Sequence, residues 1–357
     1  MSISLDPSSE QQQILASVGR LLAEQFPVAR LRGEQAAKAT PAQSVVALAG
    51  IGALGLGLSE ELGGAGFGLT EDMLLFVELG RQLMTPAVLA TVLAARLAAE
   101  CGRQDVVRSL LAGQQVVGLA QPLGPWSSSA QEQMVHLVDG ANAELALLWS
   151  DAGMGLVSTS HLRLQTLSPM DRSVSLHRAM IEPAALQLWR PADQTRLQAQ
   201  AQLLLSAQLL GMAQACCDMA VAYAKLRSQF GRPIGSFQAI KHRCADMAVR
   251  VEVLRAQLHL ATLAQTRPMA DADFQLAACR WLAVDHALAN ARSNIQIHGG
   301  IGFAAECDAH LYVLRAHLYD QLSGSRRAEG ECLLAQRWAD ENQPVPIAPP
   351  SLTRSKE

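Results

Sequence analysis

From Gln198 to Lys225 the chain is apolar on almost every face of a 3.6-residue period, and this stretch constrains the fold more than any other. A helix with one apolar stripe packs on the outside of a domain, whereas one that is apolar all round has to be covered on all sides and belongs at the centre of a bundle. The following segments can supply that cover. Between Phe237 and about Thr266, Ile240, Cys244, Met247, Val251, Leu254 and Leu258 recur at alternating spacings of four and three, which places them on one helix face. A third helix is predicted from about Ala270 to Ile297, stopped by Gly299-Gly300, where glycine takes the left-handed turn that ends a helix. A short helix over Ala309 to Gln321 and a last one over about Arg326 to Asn342 complete the set. Residues 343–357, proline-rich, are expected to be disordered.

The N-terminal part is also helical in pattern. QQQILASVGRLLAEQF and EDMLLFVELGRQL repeat apolar residues at three and four, and SEELGGAGFGLTEDM lies between them, with Thr70 read as an N-cap ahead of Glu71 and Asp72. From Val116 to about Pro191 the pattern changes to short runs, VVGLA, MVHLV, ELALLW, GLVST and HLRLQTL, separated by turn residues such as Asp139-Gly140 and Ser168-Pro169. The expected fold is therefore mainly α with a small β insert: a helical domain over 1–115, a reduced β domain over 116–191 and a helical bundle over 192–342. Only 4% of residues are aromatic, and β-branched residues are sparse outside the middle, in line with helix over sheet.

Several function classes find no support. A formal charge of −3 with scattered basic residues carries no nucleic-acid footprint. Seven cysteines form no C-x-x-C pair and read as small core residues in a reducing compartment. The start, MSISLDPSSEQQQ, lacks a basic segment followed by an apolar one, and the run Val45–Leu58 is short and holds four glycines, so a cytoplasmic protein without a membrane span is expected. His242, His298, His310 and His317 make no metal-ligand pattern, no Glu-x-x-His pair of a di-iron bundle occurs, and no nucleophile-elbow or Walker-type loop is present.

Two strings carry chemistry. RSQFGRPIGSFQAIKHRCADM, residues 227–247, joins two long helices. Arg227 offers a planar cation suited to a pyrophosphate, Phe230 a flat stacking surface, and Gln238 opens the next helix. A plain helix connection could use the same glycine and proline. In NIQIHGGIGF, residues 294–303, Gly299 and Gly300 allow close approach of a ligand to backbone beside Gln296, although a glycine C-cap explains the pair equally well.

Together the two strings resemble the acyl-CoA dehydrogenase family, whose R-x-Q-F-G-x-P-I-x-x-F-Q and Q-x-H-G-G-x-G strings recur here almost letter for letter. LSEELGGAGFGL is similar to the family's P-E-x-x-G-G-x-G, with Ser59 in place of the usual proline, and VELGRQLMTP resembles its E-E-L-G-R segment. The resemblance implies an N-terminal helical domain, a middle β domain and a C-terminal four-helix bundle that bind FAD. It implies that Arg227, Gln229 and Phe230 contact the ADP half of FAD with Gln238 close by, and that Gln296, Gly299 and Gly300 reach the FAD of a neighbouring subunit, with His298 ordering the loop. Ser325 keeps a hydroxyl where the family places a threonine on FAD. An oligomer follows, a homo- or hetero-oligomer built as a dimer of dimers, acting on an acyl-CoA and passing electrons to a separate acceptor. In the family's reaction a glutamate removes the α-proton and the β-hydrogen leaves as hydride to flavin N5.

The chain departs from the pattern at the base. The two positions where the family carries it fall on Ser323 and Ala201, neither a carboxylate, and Arg327 stands where a glutamine is usual. Asp320 and Glu306 are the nearest substitutes. In the flavin-lining strand, Ala120 and Gln121 replace a hydroxyl and an acid. The expected function is FAD-dependent α,β-dehydrogenation of an acyl-CoA thioester. One form is a homo-oligomer using a base at another position; the other is one subunit of a heteromer in which a second chain bears the base, as in branches of the family acting on steroid-derived esters. The alternative is a non-catalytic scaffold subunit that binds FAD or acyl-CoA.

Overall fold

The central helix is where the sequence places it. In the computed structural model, which describes residues 8–33, 36, 40–267, 269–322, 330, 331, 333 and 334, α6 (Leu197–Leu226) is packed on by α3 (Leu69–Arg81), α7 (Gln238–Thr266), α8 (Ala272–His298) and α9 (Ala309–Gln321). Among the described residues it is the one helix long and apolar enough to cross a membrane, but 78% of its most apolar window is buried inside the protein. Core packing accounts for its composition. The predicted helix over Arg326 to Asn342 and the 343–357 tail fall almost wholly outside the described residues.

Helices α1 (Ser9–Gln25) and α2 (Pro41–Gly50) precede α3; α4 (Pro86–Glu100) and α5 (Gln104–Leu111) follow it. Helix α3 starts at Leu69, so Thr70 lies inside it and is not the N-cap. The cap is Gly68, whose N–H donates to the Glu71 carboxylate at 2.9 Å. With Glu71 closing the turn from the third helical position, no hydroxyl is needed there. Asp72 turns inward, 1% exposed, to pair with Arg96 of α4, which also donates to Gln200 of α6 at 2.7 Å. Gly57 is the residue that leaves room for this pair, since a Cβ there would lie 2.0 Å from Asp72 Oδ2.

Between α5 and α6 lie seven strands: β1 (Val117–Pro122), β2 (Gln133–Val138), β3 (Leu145–Ser150), β4 (Gly153–Ser158), β5 (Gln165–Leu167), β6 (Leu176–Ile181) and β7 (Leu188–Pro191). They form one sheet ordered β5-β6-β2-β1-β3-β4-β7, in which only β1 and β3 pair in parallel. Its two faces are both covered. Val117, Leu119, Val138, Leu147 and Leu156 join the main core, while Ala120, Val135, Leu137, Leu148 and Ile181 close a second core with Trp126 and Trp189. Helix α4 is buried at every position from Pro86 to Ala98 because it is packed on one side by α6 and on the other by β1 and β3.

A strained turn joins α3 to α4. Leu83 holds φ at 48°, a conformation that costs a branched residue energy, and its surroundings hold it there. Arg315 of α9 donates to the carbonyls of Leu83 (3.1 Å) and Met84 (2.7 Å), Arg30 donates to that of Gln82 at 3.0 Å, and Tyr319 bonds that of Met84 at 3.3 Å. Burial and the like charge of Arg315 push the Arg30 guanidinium down to about 10.

Helices α3 and α6 cross in close contact. A Cβ on Gly80 would sit 2.0 Å from the Gln208 carbonyl oxygen, and one on Gly211 would sit 1.9 Å from that of Val77. Both obstacles are backbone, so the helices have to separate. Gly80→Ala and Gly211→Ala are each expected to lower stability by about 1–3 kcal/mol, read as a lower denaturant midpoint. Gly300→Ala, where a Cβ would meet nothing within 4 Å, serves as the neutral comparison.

Candidate functional site

Both sequence strings lie at one end of the bundle, where the end of α8 packs against the end of α6. The His298 ring at the end of α8 stacks on Tyr223 near the end of α6, centroids 4.1 Å apart and planes at 23°. Its Nδ1–H donates to the Asn294 carbonyl at 2.9 Å, which fixes the ring's orientation. The resemblance implies that His298 orders this loop, and these two contacts are how it could do so.

Arg227 follows α6 directly in extended conformation, its N–H donating to the Tyr223 carbonyl at 2.8 Å. The link to α7 is a hairpin in which Ser228–Gln229 pairs with Arg232–Pro233. Phe230 and Gly231 form its tip, with φ of 51° and 78°. A bulky residue in the left-handed region is strained, and Phe230 is 93% exposed, so its own chain gains no burial from it. Arg227, Gln229 and Gln238 are exposed too, and among the described residues the Arg227 guanidinium has no partner.

The second string presents a similar surface. Gln296, Gly299 and Gly300 are exposed, and Ile301 and Phe303 are 51% and 74% exposed. Gly299 needs glycine for its φ of 65°, whereas Gly300 has neither a positive φ nor any atom within 4 Å of a Cβ. Among the described residues nothing asks for glycine at 300. Close approach of something outside the chain would.

The sites where a base was sought look different. Ala201 is fully buried on α6. Ser323, Ser325 and Arg327 lie outside the described residues. Glu306 is exposed beside the Arg32–Asp308 ion pair. Asp320 is half-buried on α9, with one carboxylate oxygen enclosed and without a partner among the described residues.

Alongside α9 runs an open groove of about 480 Å³, walled by Leu314, His317, Leu318 and Gln321 of the helix and by Met170 and Leu176 opposite. Successive helix residues turn by 100°, which sets Asp320 on the flank of α9 away from these four. Gln121 of β1 donates its Nε2–H to the Leu322 carbonyl at 2.6 Å, tying the strand to the end of α9. Ala120, one residue earlier, points to the opposite face, into the second core. The groove and its sheet wall are not legible in the sequence, because they depend on strand register.

Models of two family domains match the chain: acyl-CoA dehydrogenase, N-terminal domain, over residues 8–114, and acyl-CoA dehydrogenase, C-terminal domain, over residues 193–333. The chain belongs to the acyl-CoA dehydrogenase family. The acyl-CoA dehydrogenase IpdE2 of Mycobacterium tuberculosis is 33% identical over 338 residues, covering 94% of this chain and 99% of that protein. The acyl-CoA dehydrogenase FadE34 of the same organism is 36% identical over 282 residues, 76% of this chain but only 38% of FadE34's own length. The ChsE4–ChsE5 complex from M. tuberculosis has the same fold, with a TM-score of 0.75 at 23% identity over 94% of this chain and all of the matched one.

Acyl-CoA dehydrogenases normally bind FAD, and the residues here fit its ADP half. A free guanidinium, an exposed strained aromatic ring and an open glycine are the donors and surfaces that a diphosphate and an adenine need. The groove beside α9, lined mostly by apolar side chains, is inside the roughly 300–1,000 Å³ range of ligand pockets.

Proposed function

We propose that this acyl-CoA dehydrogenase acts in FAD-dependent α,β-dehydrogenation of an acyl-CoA thioester as one subunit of a hetero-oligomer whose other chain bears the catalytic base. One observation carries the reading: Arg227, Gln229, Phe230, Gln296 and Gly300 face outward, while Ala201, at one of the family's base positions, is a buried methyl group. Outward-facing clasp residues suit a cofactor shared across an interface. Exposed Phe230, Ile301 and Phe303 would be covered by the same partner.

When bound, FAD supplies the hydride acceptor. This chain's part is then to hold and orient: Arg227 neutralises the diphosphate, Phe230 covers the adenine, and backbone at Gly299 and Gly300 comes close enough to bond the cofactor shared with the partner. The groove keeps water from one face of the ring. A bulky, steroid-derived acyl-CoA is the substrate class we favour, with a separate protein accepting the electrons.

The test is a visible spectrum of the protein purified alone and after co-expression with a homologous chain that carries the base. We expect a flavin band only from the co-expressed pair, bleached by an acyl-CoA, with turnover unchanged by Glu306→Gln. A yellow protein from this chain alone, bleached by an acyl-CoA, would overturn the hetero-oligomer. Flavin absent from every pairing would leave the scaffold alternative.

A further inference from the structure

A row of polar residues crosses four strands on the side of the sheet that faces α9. Gln165 of β5 stands opposite Arg178 of β6, Arg178 opposite His136 of β2, and His136 opposite Gln121 of β1. Alternation along each strand puts this row on the face shared by Leu119, Val138 and Leu176, which pack with the main core. At one end Gln121 reaches the Leu322 carbonyl. Leu176, two residues before Arg178 on the same face, belongs to the wall of the groove.

Arg178 has no evident structural task. It is half-buried, its Nε–H is enclosed without an acceptor, and among the described residues no carboxylate pairs with it. Asp171, the acid on the neighbouring loop, is already taken by Arg315. Leaving a buried donor unmet costs about 1–3 kcal/mol, and more for a charged group, so the enclosed Nε–H asks for an explanation. His136 is not a second cation, because burial and the adjacent Arg178 hold its imidazole below the ordinary range and so neutral near pH 7. It can steady the guanidinium or share the ligand.

We infer that Arg178, steadied by His136, binds the electron-rich edge of a flavin ring lying in the groove and makes that flavin easier to reduce. The inference rests on the FAD reading above. Hydride arriving at N5 brings two electrons and one proton, and leaves one negative charge on the ring, spread over N1 and the C2 carbonyl. A fixed cation in a partly buried site stabilises that charge and has little effect on the neutral oxidised ring.

The test uses the flavin-loaded protein, with its partner chain where loading requires it. Wild type, Arg178→Gln and Arg178→Lys are compared by midpoint potential, from equilibration with a reference dye, and by affinity for sulfite, which adds at N5 and places the same charge on the ring. In Arg178→Gln the reduction equilibrium is expected to fall about tenfold, equivalent to about 30 mV for two electrons, and sulfite to bind about tenfold more weakly, while Arg178→Lys stays close to wild type. Loss of flavin from the Gln variant but not the Lys variant also supports the contact. The inference is overturned if Arg178→Gln keeps its flavin with both readouts within twofold of wild type, or if both variants lose flavin alike. Wild type that never retains flavin removes the cofactor reading first and takes this inference with it.

Discussion

Arg315→Met is expected to lower the stability of the protein by about 3–5 kcal/mol, the cost of leaving one member of a buried ion pair alone. Arg315 and Asp171 are enclosed, with side chains 1% and 6% exposed, and meet at 2.6 Å. The same guanidinium bonds the Ser173 hydroxyl at 2.8 Å as well as the carbonyls of Leu83 and Met84, so one side chain ties α9 to the strained α3–α4 turn and to the loop before β6. That loop is also a wall of the groove, and flavin retention should fall with stability. The check is a denaturant midpoint with and without Asp171→Asn. Removing both charges should recover part of the loss, because the penalty comes mostly from the stranded carboxylate.

The pair also predicts a pH dependence. Burial works to raise the Asp171 carboxyl, but the Arg315 charge and the Ser173 hydrogen bonds outweigh it and hold the group below the usual carboxylate range. A carboxyl depressed by folding stabilises the native state above its unfolded pKa of about 4, and that contribution is lost as pH falls through the lower folded value. Wild type should therefore lose stability from about pH 4 downward. The slope should be shallower in Arg315→Met, which lacks the pair.

Arg227→Ala is expected to weaken FAD binding about 10- to 100-fold, the equivalent of about 1.5–3 kcal/mol for charge-assisted hydrogen bonds to a diphosphate. The residue is exposed and its guanidinium has no partner among the described residues, so the thermal midpoint of the flavin-free protein should not move. Flavin-to-protein ratio and a binding titration read the effect. A variant that binds FAD as tightly as wild type would sink the assignment of Arg227 to the cofactor.

The long helices and the run of short strands were legible because their signals are local. Period and apolarity along one segment decide whether it can be a helix and how many of its faces must be covered, which is why α6 and the face of α7 from Ile240 to Leu258 match the reading. The cap of α3 was misread for a local reason of a different kind. Thr70 and Glu71 both suit a helix start, and only the position of Gly68 shows that Glu71 closes the turn.

The two cofactor strings were legible as a resemblance, residue by residue, although spacing alone left a plain helix connection open. That Arg227 and Phe230 face outward, and that Gly300 answers to nothing among the described residues, had to come from the packing. The groove beside α9 and the row Gln165–Arg178–His136–Gln121 had no sequence signal at all. They exist only because four strands pair in one register, and a shift of one residue would send each side chain to the opposite face.

The sequence by itself thus determined what is written along one segment at a time: a buried central helix, a sheet set between helices, and two family strings without a carboxylate at Ser323 or Ala201. The tertiary structure decided which groups meet. It brought the ends of α6 and α8 together through Tyr223 and His298, placed Asp171 against Arg315, and left Arg178, two residues along β6 from the groove wall at Leu176, with an enclosed donor that has no partner among the described residues. Contacts between distant segments depend on register and helix crossing, and both are set by the whole core at once.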